Sequence, residues 1–311
     1  MTKIAFIFPG QGSQAVGMGT DFLGDETSAG YFREADAALG FSLSELMKEG
    51  PQEELTLTYN AQPALLTVSA VIAERLKRAG LQPDYTAGHS LGEYSALVAS
   101  GALSFEDAVK AVHKRGLLMN EAVPAGQGAM AAVLGMESEE LRKVTEEVTA
   151  DGYSVQLANI NSPGQIVISG AKEGVERAGA MAKEKGAKRV IPLDVSGPFH
   201  SVLMTSAASG LEKALQDAGL KEAQVPVISN VTADAVTDPE EIRELLVEQL
   251  YSPVLWEQSV REMIDLGVTV FVEAGPGKVL SGLVKKIDRS VKVLPVYDEE
   301  TLESAVKELK Q

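Results

Sequence analysis

The sequence contains no cysteine, only three histidines and no long apolar run. The lack of cysteine excludes disulfide bonds, thiolate zinc sites and a cysteine nucleophile. Three histidines without metal-ligand spacing give no support for a transition-metal site. No segment approaches the roughly 18 apolar residues of a membrane span, and the chain opens on a strand-like run, Lys3 to Phe8, rather than a secretion signal. We therefore expect a cytoplasmic protein without membrane contact, in which covalent catalysis falls to Ser, Thr, Lys or a carboxylate.

Basic residues are also scarce relative to acidic ones. The chain has 28 Lys and Arg against 44 Asp and Glu, a formal net charge of -16. This balance argues against nucleic acid as a partner, and an acidic partner would need a local basic patch. With 311 residues, 45% of them hydrophobic, the chain is long enough for a sizeable core.

The pentapeptide Gly88-His89-Ser90-Leu91-Gly92 stands between a strand-like run and a helix-like run. A G-x-S-x-G sequence in that position forms a sharp turn that exposes the serine hydroxyl at the edge of a parallel sheet. The pattern alone is weak, because a chain of this composition contains about 0.2 such matches by chance. Its context has to support the interpretation of Ser90 as a nucleophile.

Strand-like and helix-like segments alternate through most of the chain. This alternation predicts an α/β fold: an α/β-hydrolase-like large subdomain with a mainly parallel sheet. Residues 126–196 instead have the order βαββαβ, which is the ferredoxin-like arrangement. We expect a discontinuous core, residues 1–125 and 197–311, with residues 126–196 as an inserted ferredoxin-like small subdomain.

A serine nucleophile needs a base, and the three histidines differ in their settings. His89 is adjacent to Ser90, so its side chain should diverge from the serine. His113 lies within a predicted helix among apolar neighbours, which favours a structural role. His200 follows Ser196-Gly197-Pro198-Phe199 in a loop between a strand and a helix, and loops of this kind present catalytic side chains. We therefore predict His200 as the base.

An attack of Ser90 on a thioester would also need donors for the oxyanion that forms. The backbone N-H of Leu91, after the serine, is one, and the Gln11 loop at the end of the first strand could supply another, although Gln11 equally fits a solvated turn. Arg115, on the helix after the pentapeptide, is either a salt-bridged surface residue or, if it points into the cleft, a bidentate partner for a substrate carboxylate.

Several segments together resemble the malonyl-CoA:acyl-carrier-protein transacylase family, in the stand-alone form of bacterial fatty-acid synthesis. The likeness extends over nearly the whole chain in the right order, which is far more specific than the pentapeptide. It rests on Pro9 to Gln14, Gly88 to Glu93, Arg115-Gly116, Gly128 to Met130, Asn159 to Gly164, Gly197 to Ser201, Asn230 to Thr232 and Glu273 to Gly277.

The resemblance implies roles for individual residues. Ser90 would be the acylated nucleophile and His200 its base, with Gln11 and Leu91 as oxyanion donors. Arg115 would hold the malonyl carboxylate, and the main-chain carbonyl of Gln249 would orient the histidine in place of a triad acid. Asn159 and Asn161 match polar residues that line the cleft, although strand-end and turn chemistry beside Pro163 would also account for them.

The resemblance further implies a ping-pong transfer from malonyl-CoA to the pantetheine thiol of acyl carrier protein, without a cofactor of the enzyme's own, by a monomer. Because acyl carrier proteins of this pathway are acidic, we predict a basic docking patch on this acidic chain. The candidates for it are Lys188, Arg189, Lys278, Lys285, Lys286 and Arg289.

Other functions use the same pentapeptide or the same partner. A serine thioesterase or carboxylesterase shares the turn, but it needs no acid anchor such as Arg115, and no triad acid is evident. A non-catalytic scaffold that binds acyl carrier protein would never acylate Ser90. A malonyltransferase that serves polyketide synthesis is a third alternative, because the sequence leaves open which carrier protein is used.

Overall fold

The protein is described by a computed structural model that covers residues 2–310. The strands are β1 Lys3–Phe8, β2 Tyr85–Gly88, β3 Gly128–Leu134, β4 Val155–Ser162, β5 Gln165–Ala171, β6 Arg189–Pro192, β7 Val227–Ile228, β8 Ala235–Val236, β9 Val268–Ala274 and β10 Lys292–Val296. The helices are α1 Glu26–Leu39, α2 Leu43–Glu49, α3 Gln52–Thr56, α4 Thr58–Arg78, α5 Gly92–Ala99, α6 Phe105–Glu121, α7 Ser138–Ala150, α8 Lys172–Glu184, α9 Ala208–Asp217, α10 Pro239–Gln249, α11 Trp256–Asp265, α12 Val279–Ile287 and α13 Glu299–Leu309. Two 3-10 helices, Thr20–Gly24 and Val202–Ala207, complete the list.

The large sheet has the order β10-β9-β1-β2-β7-β8, and its first five strands are parallel. Only β8, which pairs with β7, is antiparallel. The central strand β1 is buried on both faces: Phe6 and Phe8 belong to one apolar cluster, and Ala5 and Ile7 belong to another. A strand covered by helices on both sides needs such an unbroken apolar run.

The small sheet has the order β4-β5-β3-β6 and is antiparallel throughout. With α7 and α8 it forms the βαββαβ arrangement of a ferredoxin-like unit and has an apolar cluster of its own. The predicted fold class is confirmed: an α/β-hydrolase-like large subdomain with a mainly parallel sheet, and a separate antiparallel small one. The exact boundaries at 125/126 and 196/197 stay predictions.

The small sheet is tied to the large subdomain by a bridge between β4 and Val254, in the segment between α10 and α11. The N-H of Ile160 donates to the carbonyl of Val254, and the N-H of Val254 donates to the carbonyl of Ala158, at 2.9 and 2.8 Å. This junction fixes β4 beside the carboxyl end of the large sheet, which is the edge where α/β proteins bind ligands.

Within residues 2–310 no helix has both the length and the apolar character needed to cross a membrane.

Candidate active site

Ser90 lies in a tight turn between β2 and α5. Its φ of 52° is in the left-handed region, which is uncommon for a residue other than glycine. The two flanking glycines are required by close contacts. A Cβ on Gly88 would lie 1.9 Å from the carbonyl oxygen of Gly92, and one on Gly92 would lie 2.1 Å from that of Phe8. The turn therefore has the geometry of a nucleophile elbow, as its sequence predicts.

His200 contacts the serine hydroxyl directly. Its Nε2 lies 2.8 Å from Ser90 Oγ, and its Nδ1 lies 2.8 Å from the main-chain oxygen of Gln249. Gln249 is the last residue of α10, so its carbonyl has no partner within the helix and is free to accept this bond. Because the carbonyl can only accept, Nδ1 carries the proton and Nε2 is left to accept from Ser90.

The electrostatic setting of His200 favours the neutral imidazole. The side chain is only 3% exposed, and burial, aided by the positive charge of Arg115, lowers its pKa to about 3. The ring is therefore neutral at pH 7, and its Nε2, 2.8 Å from Ser90 Oγ, has a free lone pair with which to accept the serine proton.

Gln11 and Leu91 both line the serine cleft. Phe8 of β1 pairs with Gly88 of β2, so the loop that holds Gln11 and the elbow leave the sheet side by side. Neither backbone N-H donates a hydrogen bond to another residue within residues 2–310. The Gln11 side chain donates to Thr58 Oγ1 at 3.2 Å, which anchors the loop on α4.

Arg115 is 1% exposed and reaches the nucleophile. One terminal nitrogen, Nη2, donates to Ser90 Oγ at 3.1 Å and to Gln249 Oε1 at 2.8 Å. The other, Nη1, donates to Gln62 Oε1 at 2.8 Å. Across residues 2–310, no carboxylate oxygen lies within 4.0 Å of this guanidinium. A buried cation without an anionic partner is unfavourable, so the site favours a ligand that brings a carboxylate.

The two predicted asparagines on β4 have different positions. Asn159 lines the cleft, whereas Asn161 Oδ1 accepts a hydrogen bond from His89 Nε2 at 2.8 Å. His89 is thus engaged with the small subdomain and not with Ser90. His113 lies outside the cleft, where its Nδ1 is 2.7 Å from the carbonyl oxygen of Tyr59.

Three polar residues of the site were given no role by the sequence reasoning. Gln62 orients Arg115, as described above. Asn230, in the turn after β7, accepts from the N-H of Ser90 and donates to the carbonyl of Gly88, both at 2.7 Å. Its side chain therefore binds the backbone of the elbow through both an N-H and a carbonyl. Glu93, on the first turn of α5, is buried beneath it. Asn230 and Glu93 belong to motifs that carried the family resemblance, which was the only signal for them.

The cleft around these groups has a volume of about 180 Å³, and its apolar wall includes Met119, Met130 and Phe199. Among the described residues no cluster of three or more His, Asp or Glu side chains could hold a metal ion. The six basic residues predicted for docking, Lys188, Arg189, Lys278, Lys285, Lys286 and Arg289, are all exposed.

A family model described as "Acyl transferase domain" matches residues 5–308. The chain belongs to this family. The acyl transferase of Bacillus subtilis (strain 168) named malonyl CoA-acyl carrier protein transacylase is 61% identical over 312 residues, which cover 100% of this chain and 98% of the relative. The family resemblance found in the sequence is therefore confirmed.

Solved structures of acyl transferases agree over the full length. An acyl carrier protein S-malonyltransferase from Vibrio cholerae has 47% identity and a TM-score of 0.95, and the match covers 98% of this chain and 100% of that one. A malonyl-transacylase solved in complex with its type II polyketide synthase acyl carrier protein has 43% identity and a TM-score of 0.95, and the match covers 99% and 100% of the two chains.

Proposed function

We propose that this acyltransferase moves the malonyl group of malonyl-CoA onto the pantetheine thiol of acyl carrier protein through a malonyl-serine intermediate, in fatty-acid synthesis. The observation that carries the proposal is Arg115: a buried guanidinium with no carboxylate in contact among residues 2–310, 3.1 Å from the hydroxyl that His200 activates. The names of the relatives support the same donor and acceptor.

In the first half-reaction Ser90 Oγ attacks the thioester carbonyl while His200 Nε2 takes its proton. The N-H groups of Leu91 and Gln11 receive the oxyanion, and Arg115 holds the malonyl carboxylate. Collapse of the tetrahedral intermediate breaks the carbon-sulfur bond, and His200 returns the proton to the departing CoA thiolate. The Gln249 carbonyl keeps the imidazole in the required tautomer throughout.

The second half-reaction reverses these roles. The pantetheine thiol gives its proton to His200 and attacks the malonyl ester, and Ser90 leaves with that proton. Every step uses groups of the chain or of its substrates, so we propose that the enzyme has no resident cofactor. A cytoplasmic location and a monomeric state stay predictions from the sequence.

Intact mass spectrometry tests the proposal. Incubation with malonyl-CoA alone should add one malonyl group to the wild type and none to Ser90→Ala. Ser95→Ala is a matched control, because Ser95 lies on the adjoining helix α5 with a buried hydroxyl that makes no hydrogen bond within the described part of the chain. An unmodified wild type would favour a scaffold, and rapid loss of the malonyl group to water without acyl carrier protein would favour a thioesterase.

A further inference from the structure

Glu93 is a buried carboxylate that the transfer mechanism above does not use. It lies three residues after Ser90, with 3% of its surface exposed, and its Oε2 accepts two hydrogen bonds. One comes from Gln249 Nε2 at 2.7 Å and the other from the backbone N-H of Asn230 at 3.2 Å. A backbone N-H can only donate, so Oε2 must be an acceptor.

This acceptor is the nearest of three that together set which way the Gln249 amide faces. Nε2 donates to Glu93 Oε2 at 2.7 Å, to the carbonyl of Ser90 at 3.1 Å and to Asn230 Oδ1 at 3.3 Å. Gln249 Oε1 is therefore left to accept from Arg115 Nη2 at 2.8 Å. If the Gln249 amide were reversed, its Oε1 would face the Glu93 carboxylate and its NH₂ group would face the Arg115 guanidinium. Two acceptors would then face each other at one end of the amide and two donors at the other.

We propose, on the basis of the malonyl transfer proposed above, that Glu93 is a positioning residue: it fixes the Gln249 amide and thereby aims the Arg115 guanidinium at the substrate carboxylate. The main-chain carbonyl of Gln249, which holds His200, is set by the end of α10 and does not depend on how the amide faces. Glu93 thus acts on recognition of the charged acyl group more than on the reactivity of Ser90.

The two bonds do not require a charged Glu93. Burial raises its pKa to about 7, but both donors address Oε2, so a proton on Oε1 leaves the bonds in place. A glutamine at this position can present its amide oxygen to the same two donors. The chain therefore allows a conservative variant that keeps the acceptor and removes the charge.

Two rates of Ser90 modification, measured on the full chain at pH 8, test the proposal. The first is malonylation of Ser90 by malonyl-CoA, and the second is sulfonylation of Ser90 by the neutral probe phenylmethanesulfonyl fluoride, both followed by intact mass. Glu93→Leu removes the acceptor. Glu93→Asn keeps a polar side chain but is shorter by one carbon-carbon bond, about 1.5 Å. It replaces the leucine variant in the experiment if that variant does not fold. Glu93→Gln retains the acceptor, and Glu106→Gln, at an exposed glutamate of α6, is the control.

We expect Glu93→Leu and Glu93→Asn to lower the ratio of malonylation to sulfonylation about tenfold, the factor that corresponds to one hydrogen bond. Glu93→Gln and Glu106→Gln should keep the ratio within about threefold of the wild type. Equal loss of both rates, an unchanged ratio, or a glutamine variant as impaired as the leucine one would overturn the proposal. A wild type that is sulfonylated but never malonylated would instead refute the proposed function.

Discussion

At the residue scale, the environment of Arg115 distinguishes a malonyl transferase from a general esterase. Its guanidinium contacts two glutamine side chains and the serine hydroxyl, all neutral groups. Glu93, the buried carboxylate nearby, reaches this guanidinium only through the Gln249 amide. Burying an ion without a counter-charge in direct contact costs several kcal/mol. A malonyl group would supply that counter-charge at the reacting serine, whereas an acetyl group would not.

Replacing Arg115 with alanine should therefore separate the two acyl groups. We expect malonylation of Ser90 to fall by about 2 kcal/mol in transition-state free energy, roughly thirtyfold, because a charge-assisted hydrogen bond is lost. Acetylation by acetyl-CoA should fall much less, and the two rates can be compared by stopped-time mass spectrometry. Arg75→Ala, which removes a cation paired with Glu299 away from the cleft, is the control. Equal losses for both acyl groups would contradict the assigned role.

The sequence could predict some of these residues and not others. Ser90 and Gln11 follow the parallel strands β2 and β1, whose carboxyl ends meet at one edge of the large sheet. His200 follows β6 of the antiparallel small sheet, and its loop setting is what distinguishes it from the other two histidines in the sequence. Gln62 and Glu93 sit within helices, and their partners Arg115 and Gln249 are 53 and 156 residues away along the chain. Such pairs are set by helix packing, which no local pattern encodes.

At the scale of single elements, α4 shows how one contact lets a helix continue through a proline. Pro63 lies inside α4 and has no N-H to give to the carbonyl of Tyr59, four residues earlier. His113 Nδ1 lies 2.7 Å from that oxygen and donates to it instead. The recurrence of Leu65, Val68, Ile72 and Leu76 at intervals of three and four predicts a helix that begins at Ala64, after the proline. The observed helix begins six residues earlier, at Thr58, and α6 supplies the missing donor.

The segment after His200 shows a limit of periodicity. The spacing of apolar residues after His200 predicts one helix from about Ser201 to Ala218, but the chain forms a 3-10 helix, Val202–Ala207, followed by α9. The buried residues of both parts recur every three or four positions: Met204, Ala207, Leu211 and Leu215. That spacing fits either kind of helix, so the sequence pattern could not separate them.

The elbow itself gives a prediction that contrasts two glycines. Gly92→Ala should abolish both folding of the turn and sulfonylation of Ser90, because the new Cβ would lie 2.1 Å from the carbonyl oxygen of Phe8. Gly282→Ala in α12 has open space around its Cβ and should raise the free energy of unfolding by about 0.5–1 kcal/mol, as alanine favours the helix. Thermal melts and probe labelling measure both effects. A Gly92→Ala protein with wild-type labelling would disprove the close contact.

At the scale of the whole molecule, the small sheet connects two groups of exposed basic residues. Lys286 Nζ donates to Gln165 Oε1 at 2.8 Å. In the sheet, Gln165 pairs with Leu134, and Leu134 pairs with Arg189. Arg189 therefore lies two strands from Gln165, about 10 Å away, so the end of α12 and the start of β6 face the same end of this sheet. The basic residues can form one patch on a chain whose net charge is -16.

A patch of this kind should act on the carrier protein and not on CoA transfer. We expect the double variant Lys285→Glu and Lys286→Glu to raise the KM for acyl carrier protein about tenfold at low ionic strength, because it reverses two charges facing an acidic partner. The increase should shrink as salt screens the interaction. Malonylation of Ser90 by malonyl-CoA should not change, since neither lysine lines the catalytic cleft. The double variant Lys48→Glu and Lys110→Glu makes the same change in net charge at exposed lysines elsewhere. If it raises the KM equally, overall charge and not a local patch governs the encounter.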